Sequence, residues 1–289
     1  VDGRYTDMYE RVQQMPDPGS PMLGCDAFWN TFWNLNQLWI LATPELAEQW
    51  VRALLEVERV GGWLPKGPAA VEYSSIMVAS HEIPLIVAAY QAGLRGFDVD
   101  HAWRAIKHIQ TTPGGEHEGG GEVGNENLEA YMKLGYVPLE EGPVSNTMEF
   151  AYDDWCTAQL AKALGHDVDY RRFMRRSENW RLVYDPLIGF VRQRHADGRW
   201  AETFDPFGRE GFVEGNAWQF TFFVPHDVPA LVAAIVPVQF NRRLEAGLVR
   251  SRANRFNATG DQYHKFPINH GNQPNMQSCY LFNYSGAPW

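Results

Sequence analysis

The sequence predicts an all-α protein, an (α/α)6 toroid assembled from successive helix pairs. Three observations carry this prediction. Helical periodicity recurs in about nine or ten segments, and no set of alternating strands competes with it. Glycine closes these segments, and proline, serine or aspartate opens them, at the positions that helices favour. Long, polar, glycine-rich loops separate the pairs, which suits a ring whose loops gather at one end. A complete ring has twelve helices. Residues 1–289 are therefore read as one helical domain lacking its last two or three helices, expected beyond Trp289.

Taken in order, Phe28 to Leu41 is aromatic and apolar all round, the pattern of a helix buried on most sides. Pro44 opens the next helix, Glu45 to Val60, at the first helical position, and Gly61-Gly62 stops it. Ser80 can cap a helix that runs to Ala92, with Pro84 in the tolerant first turn and Gly93 at the end. Asp98 begins His101 to Gln110. Pro113 to Gly124 is a glycine-rich loop, but it lacks the Gly-Lys-Ser/Thr of a phosphate loop and follows no strand. Asn127 to Leu134 is a short helix. Ser145 to Leu164 is the clearest one, with Met148, Tyr152, Trp155 and Gln159 at helical spacing and Gly165 at its end. Asp169 to Val183 follows, with an arginine-rich face, and then a turn-rich stretch through Gly198 and Pro206. Phe212 to Phe223, Val228 to Val249 and Asn275 to Tyr284 complete the helical set.

The formal net charge of −10 repels phosphate backbones and anionic lipid surfaces, which argues against nucleic acid as a partner. No apolar run reaches the roughly 18–20 residues that cross a bilayer; the longest, Val224 to Phe240, is interrupted by Pro225, Pro229 and Pro237. Val1 follows no initiator methionine or signal pattern and reads as a cut inside a longer chain. Cys25, Cys156 and Cys279 form neither a disulfide framework nor a zinc site, and each is expected as a small buried hydrophobe. Eleven tryptophans fit carbohydrate handling, since aromatic faces stack on sugar rings, and can equally fill a core.

Four constellations can carry chemistry. In Phe212 to Gln219, Glu214 stands between apolar neighbours and before Gly215. Desolvation by Phe212, Val213 and Trp218 would raise its pKa, as a general acid needs; the structural alternative is a carboxylate capping a helix. Glu149 and Asp153 share a helix face beside Asp154, where like charges repel unless a cation, a sugar or an arginine lies between them. Arg171, Arg172, Arg175 and Arg176 on the next helix offer the structural explanation. His270 to Gln277 crowds amides before a helix, suited to Ca²⁺ and sugar hydroxyls or simply to capping. Trp29 and Asn30 can form a sugar platform or lie in the core. His81, His101, His108 and His226 have no metal-ligand spacing and read as structural. No nucleophile elbow is present.

Together these segments resemble the glycoside hydrolase 92 family, in order along nearly the whole chain. Pro143 to Cys156 is similar to its V-S-x-T-L-E-Y-A-Y-D-D-W motif, Glu214 to Phe220 to E-G-N-A-W-Q-Y, and His270 to Pro274 to H-G-N-E-P; Tyr280 to Tyr284 and Gly286 to Trp289 continue the match. The resemblance implies an (α/α)6 barrel behind an N-terminal β-sandwich, and inverting, Ca²⁺-assisted exo-hydrolysis of α-mannosides in a secreted or periplasmic setting. It implies Glu214 as the general acid. It further implies Trp29, Asn30, Trp218, His270 and Gln273 as substrate-binding residues, and Asn272, Gln273 and Gln277 among the Ca²⁺ ligands.

Three departures qualify the expectation. The family's general-base aspartate and its β-sandwich are not among these residues. Asn30 replaces the aspartate of W-D-T. Gln273 replaces the glutamate of H-G-N-E-P, which removes a charge near the leaving group and would tolerate an anionic one. A mannoside-binding or assembly subunit without turnover is the second reading, and a glucan-cleaving hydrolase of the same fold the third.

Overall fold

The computed structural model describes residues 2–69, 72–74, 76–253, 263 and 265–288. Val1 and Trp289, the two chain ends singled out above, lie outside them. The described residues are mostly α-helical, with four two-stranded antiparallel ribbons. They fall into two compact units: Val1–Glu129 with Asp153–Ser177, and Ala130–Tyr152 with Glu178–Trp289.

The first unit is built on α1 (Leu35–Ala42), α2 (Pro44–Gly61), α3 (Glu82–Gln91) and α4 (Val99–Thr111), which pack on one another. Pro44 begins α2 as predicted, and Gly62 ends it in the left-handed conformation at φ 81°. Its buried face carries Ala47, Trp50, Val51, Leu54 and Leu55, the i, i+3, i+4 repeat of an amphipathic helix. Trp50 stacks on Trp39 and meets Phe28 edge-on. Leu54 is fully buried, and truncating it to alanine would cost about 2–5 kcal/mol. Asp98 caps α4, its carboxylate accepting from the His101 amide at 2.9 Å.

Helix α6 (Ser145–Ala163) follows the short α5 (Leu128–Leu134) and contributes residues to both units. It is buried on nearly every face, and Gly165 at φ 78° lies beyond its end. Helix α7 (Asp167–Arg176) belongs to the first unit.

In the second unit, α8 (Ala217–Thr221) packs on the ribbon strand Phe190–Val191 and on the 3-10 turn Gln273–Asn275. Helix α9 (Val228–Ile235) packs on α10 (Pro237–Arg252) and on the 3-10 segment Ser278–Tyr284.

Several expected helices are shorter or broken. Phe28 to Leu41 is a 3-10 turn, Phe28–Asn30, followed by α1 from Leu35. Asp169 to Val183 breaks after Arg176 and resumes as the 3-10 turn Asn179–Leu182, which carries Trp180 into the core. Val228 to Val249 breaks at Val236, whose φ is 75°; the residue before a proline is excluded from the helical region. Ser80 does not cap α3. Its hydroxyl donates to the Asn125 side chain and its amide to Asp153. Of the cysteines only Cys156 is buried; Cys25 is half-buried and Cys279 exposed, because the 3-10 segment carrying Cys279 turns that side chain to solvent.

Candidate active site

Glu214 lies in a loop of the second unit that is fixed from both sides. On one side the Ser145 hydroxyl accepts from the Val213 amide at 3.0 Å, and the Ser145 amide donates to the Gly211 carbonyl at 3.1 Å. On the other, the Asn272 side-chain amide donates to the Glu214 carbonyl at 2.7 Å. The Glu214 backbone is left-handed, φ 48°, a conformation that costs a non-glycine residue of order 1–3 kcal/mol and persists where surroundings over-determine it. Gly215 follows because a Cβ there would sit 2.6 Å from the Phe220 ring.

The helix-cap alternative for Glu214 does not hold, since the cap of α8 is Asn216. Its side-chain oxygen accepts from the Gln219 amide at 3.1 Å, and its nitrogen donates to the Tyr263 and Phe266 carbonyls. The apolar neighbours do not enclose Glu214 either. Phe212 packs on Phe220, and Trp218 packs on Phe190 and Phe207. The Glu214 side chain is exposed and makes no hydrogen bond or ion pair among the described residues.

The amide-rich segment is a scaffold that holds this loop. Asn275 donates to the Gln219 carbonyl at 2.9 Å and accepts from the Asn269 amide at 2.9 Å. Gln219 donates to the Phe266 carbonyl at 2.9 Å. Asn272 is buried, its side-chain nitrogen occupied by Glu214. Gln277 is buried, its nitrogen donating to the Pro274 carbonyl while its oxygen has no hydrogen-bond partner. An orphaned buried amide oxygen fits a cation ligand, and Asn272 offers a second amide oxygen. No group of three or more His, Cys, Asp or Glu is placed to hold a metal among the described residues. Gln273 is half-buried at the head of its 3-10 turn, and His270 is exposed, with partial desolvation lowering its pKa.

In the first unit, Asn30 is exposed and donates to Asp26 at 3.2 Å. Trp29 is only 3% exposed and lies edge-on to Phe32, so it sits in the core and does not form an open platform. Glu149, Asp153 and Asp154 on α6 are all fully buried. Asp154 takes Arg176 at 2.9 Å, as the structural explanation requires. Asp153 takes the Ser80 amide and His81, 2.7 and 2.9 Å away, and no arginine. His81 stacks on Phe32, His108 packs on Trp63, and His101 pairs with Glu58.

Sequence reasoning missed two features. The Ser145 hydroxyl was visible only as a helix-start residue. Glu82, in the first turn of the apolar helix α3, is fully buried with neither carboxyl oxygen hydrogen-bonded. Burial raises its pKa well above the ordinary value, and the Asp153 charge adds to the shift. Its signal was a lone carboxylate ahead of an apolar run.

The glycosyl hydrolase family 92 catalytic domain matches residues 1–289. The chain belongs to this family. Among solved structures, a GH92 α-mannosidase from Bacteroides thetaiotaomicron is 26% identical with a TM-score of 0.85, covering 100% of this chain and 37% of that one. The same enzyme is also solved with mannoimidazole bound. An inverting GH92 mannosidase from that organism is 27% identical at a TM-score of 0.83, covering 96% of this chain and 38% of that one. A curated relative from Arthroderma benhamiae, an uncharacterized secreted glycosidase, is 24% identical over 91% of this chain and 38% of its own length. This GH92 chain thus spans less than two fifths of each of these relatives. Its fold class is theirs, all-α of the (α/α)6 type. No helix among the described residues is long and apolar enough to cross a membrane.

Proposed function

We propose that the full-length protein is a secreted exo-α-mannosidase that hydrolyses terminal mannosides with inversion and uses Glu214 as general acid. One observation carries the assignment. Glu214 presents an exposed carboxyl from a strained, left-handed backbone position that Ser145 and Asn272 hold from either side. Strain kept in place by dedicated hydrogen bonds is a mark of functional sites. The relatives that are named mannosidases, one solved with mannoimidazole, supply the substrate class.

In this mechanism protonated Glu214 gives its proton to the glycosidic oxygen as the bond to the anomeric carbon breaks. A water attacks the opposite ring face and loses its proton to a second carboxylate, about 6.5–9.5 Å from the first in inverting enzymes. On the family resemblance that base belongs to an aspartate motif that is not among these 289 residues. Trp218, Asn30, His270 and Gln273 are assigned to substrate binding. The neutral Gln273 accommodates an anionic leaving group such as a mannosyl phosphodiester, or a linkage other than α-1,2.

Calcium fits the amides of this site. Asn272 and Gln277 would hold it through their side-chain oxygens, with Gln273 beside them and water completing a shell that has no carboxylate from this segment. When bound, the ion supplies charge that orients sugar hydroxyls and polarises them. The deciding experiment is mannose release from α-mannosides by the full-length protein and by a Glu214→Gln variant, each with and without chelator. Activity retained by the variant would remove Glu214 from the mechanism.

A further inference from the structure

The glycine-rich segment 113–124, which the catalytic reading leaves unused, builds a recessed surface inside the first unit. Its ribbon pairs Gly115–Glu116 with Glu122–Val123. Beside it lies a groove of about 770 Å³ lined by Tyr9, Trp63, Glu116, His117 and Glu118. A smaller recess of about 150 Å³ shares Gly114, Gly115 and Val123 with that groove and adds Lys66, Glu122 and Glu126.

The loop is shaped and anchored. A Cβ on Gly114 would fall 1.7 Å from the Val123 carbonyl oxygen, and one on Gly121 would fall 1.9 Å from that of Tyr73. Only glycine allows either approach. His117 accepts the Gly119 amide at Nδ1, 3.0 Å, and donates from Nε2 to the Gly61 carbonyl, 2.9 Å, which pins the loop to the end of α2. Both ring nitrogens are thereby used. Trp63 is fixed too. The Tyr73 hydroxyl accepts its amide and donates to its carbonyl, at 3.2 and 2.9 Å, and His108 packs against its ring. Tyr9 donates to Glu118 at 3.1 Å.

The groove therefore offers preorganised aromatic faces beside exposed carboxylates. A sugar ring matches both, since its C–H face packs on aromatic rings while its hydroxyls donate to carboxylates. The charge selects among sugars. Glu116, Glu118, Glu122 and Glu126 outnumber the cations described beside them, Lys66, an Arg59 committed to Glu56 and an Arg11 that pairs with Asp7 and lies over the Tyr9 ring, so the charge disfavours phosphorylated, sulfated or sialylated residues.

We propose that this groove is a further glycan-binding site for a neutral hexose residue of a glycan chain, with Trp63 as the stacking surface and Tyr9, its ring covered by Arg11, as a wall of the groove. It rests on the reading of the protein as a mannoside hydrolase only for the identity of the glycan.

The test uses the full-length protein carrying Glu214→Gln, so that glycan is not consumed, and titrates it with α-linked mannotriose. Trp63→Ala, and separately Glu116→Ala with Glu118→Ala, are added in turn; the second pair lies at the surface and leaves the core intact. In parallel, the same substitutions in the active protein are assayed on 4-nitrophenyl α-mannoside. The expected result is mannotriose binding weakened about tenfold, the size of one lost stacking contact, with kcat/KM on the aryl mannoside within about twofold. Unchanged mannotriose binding in both variants, no binding by the parent protein, or an equal fall in both assays overturns the site. A parent protein that binds mannotriose through Trp63 yet hydrolyses no mannoside would sink the catalytic reading and leave the groove standing.

Discussion

The Asn272 side chain donates to the main-chain carbonyl of Glu214 at 2.7 Å. A residue assigned to calcium is thereby bonded to the residue assigned to proton transfer. The bond stabilises the one backbone position in the loop that a non-glycine residue disfavours. If the ion binds as proposed, ion binding and acid placement would share a single amide, whose nitrogen holds Glu214.

The first expectation concerns Glu214 itself. Glu214→Gln in the full-length protein should lower mannose release by ~10²-fold or more, the scale of general acid catalysis. Its melting temperature should hold, because the side chain is exposed and makes no bond among the described residues. Initial rates with a thermal melt check both parts, and a large loss of stability would mean that the activity loss came from the fold.

Asn272→Ala removes the bond to the strained carbonyl. A single hydrogen bond is worth about 0.5–1.5 kcal/mol, so a modest loss of stability is expected. The loss in kcat should be larger, about tenfold or more, because the acid is no longer held in place. Rate and melt measured on one preparation separate the two effects. Equal, small changes in both would reduce Asn272 to a scaffold residue.

Calcium dependence follows from the amides. Asn272 and Gln277 bring no charge, so the ion should be held weakly and removed by chelator with loss of activity, restored on re-addition. Asn272→Asp adds a carboxylate and should tighten apparent calcium affinity, read from activity against free calcium. An affinity that does not move would place the ion elsewhere.

Gln273 is the specificity prediction. Hydrolysis of a linkage panel that includes mannose-phospho-mannose should show activity beyond α-1,2, and Gln273→Glu should selectively lower the phosphodiester rate by like-charge repulsion. A clean α-1,2 preference in the parent protein would overturn it.

What was legible in the sequence was local. Helix α2 was readable because Pro44, Gly61-Gly62 and an unbroken apolar repeat all act within the segment, and α6 because Gly165 stops it. The break at Val236 was signalled by Pro237, but an apolar run on both sides of it reads as one helix. Glu214 is singled out in the sequence by its neighbours, and its surroundings differ from the enclosure they suggest. The sequence suggested apolar enclosure, whereas Phe212 and Trp218 spend their faces on other aromatics. The bonds that hold the loop, from Ser145 and Asn272, span 68 and 58 residues, and nothing in a local window announces contacts of that range.

Glu82 gives the pH prediction. Burial raises its pKa well above the ordinary carboxylic value, so the folded protein binds this proton at pH values where the unfolded chain has released it. Stability then falls as pH rises: the favourable contribution is complete below the unfolded pKa, near 4.3, and is lost as pH climbs through the raised folded value. Replacing the acid by its neutral isostere, Glu82→Gln, mimics the protonated form at every pH. The two proteins should melt alike at about pH 4, below the free glutamate pKa. The variant should gain relative stability as pH increases, on the order of 1–3 kcal/mol where a buried polar group would otherwise stand unpaired. Melting curves for both across pH 4–9 give the difference directly. A difference that stays flat across that range would show that Glu82 ionises as readily folded as unfolded, and that the Lys66 and His81 charges, which favour the carboxylate, outweigh its burial.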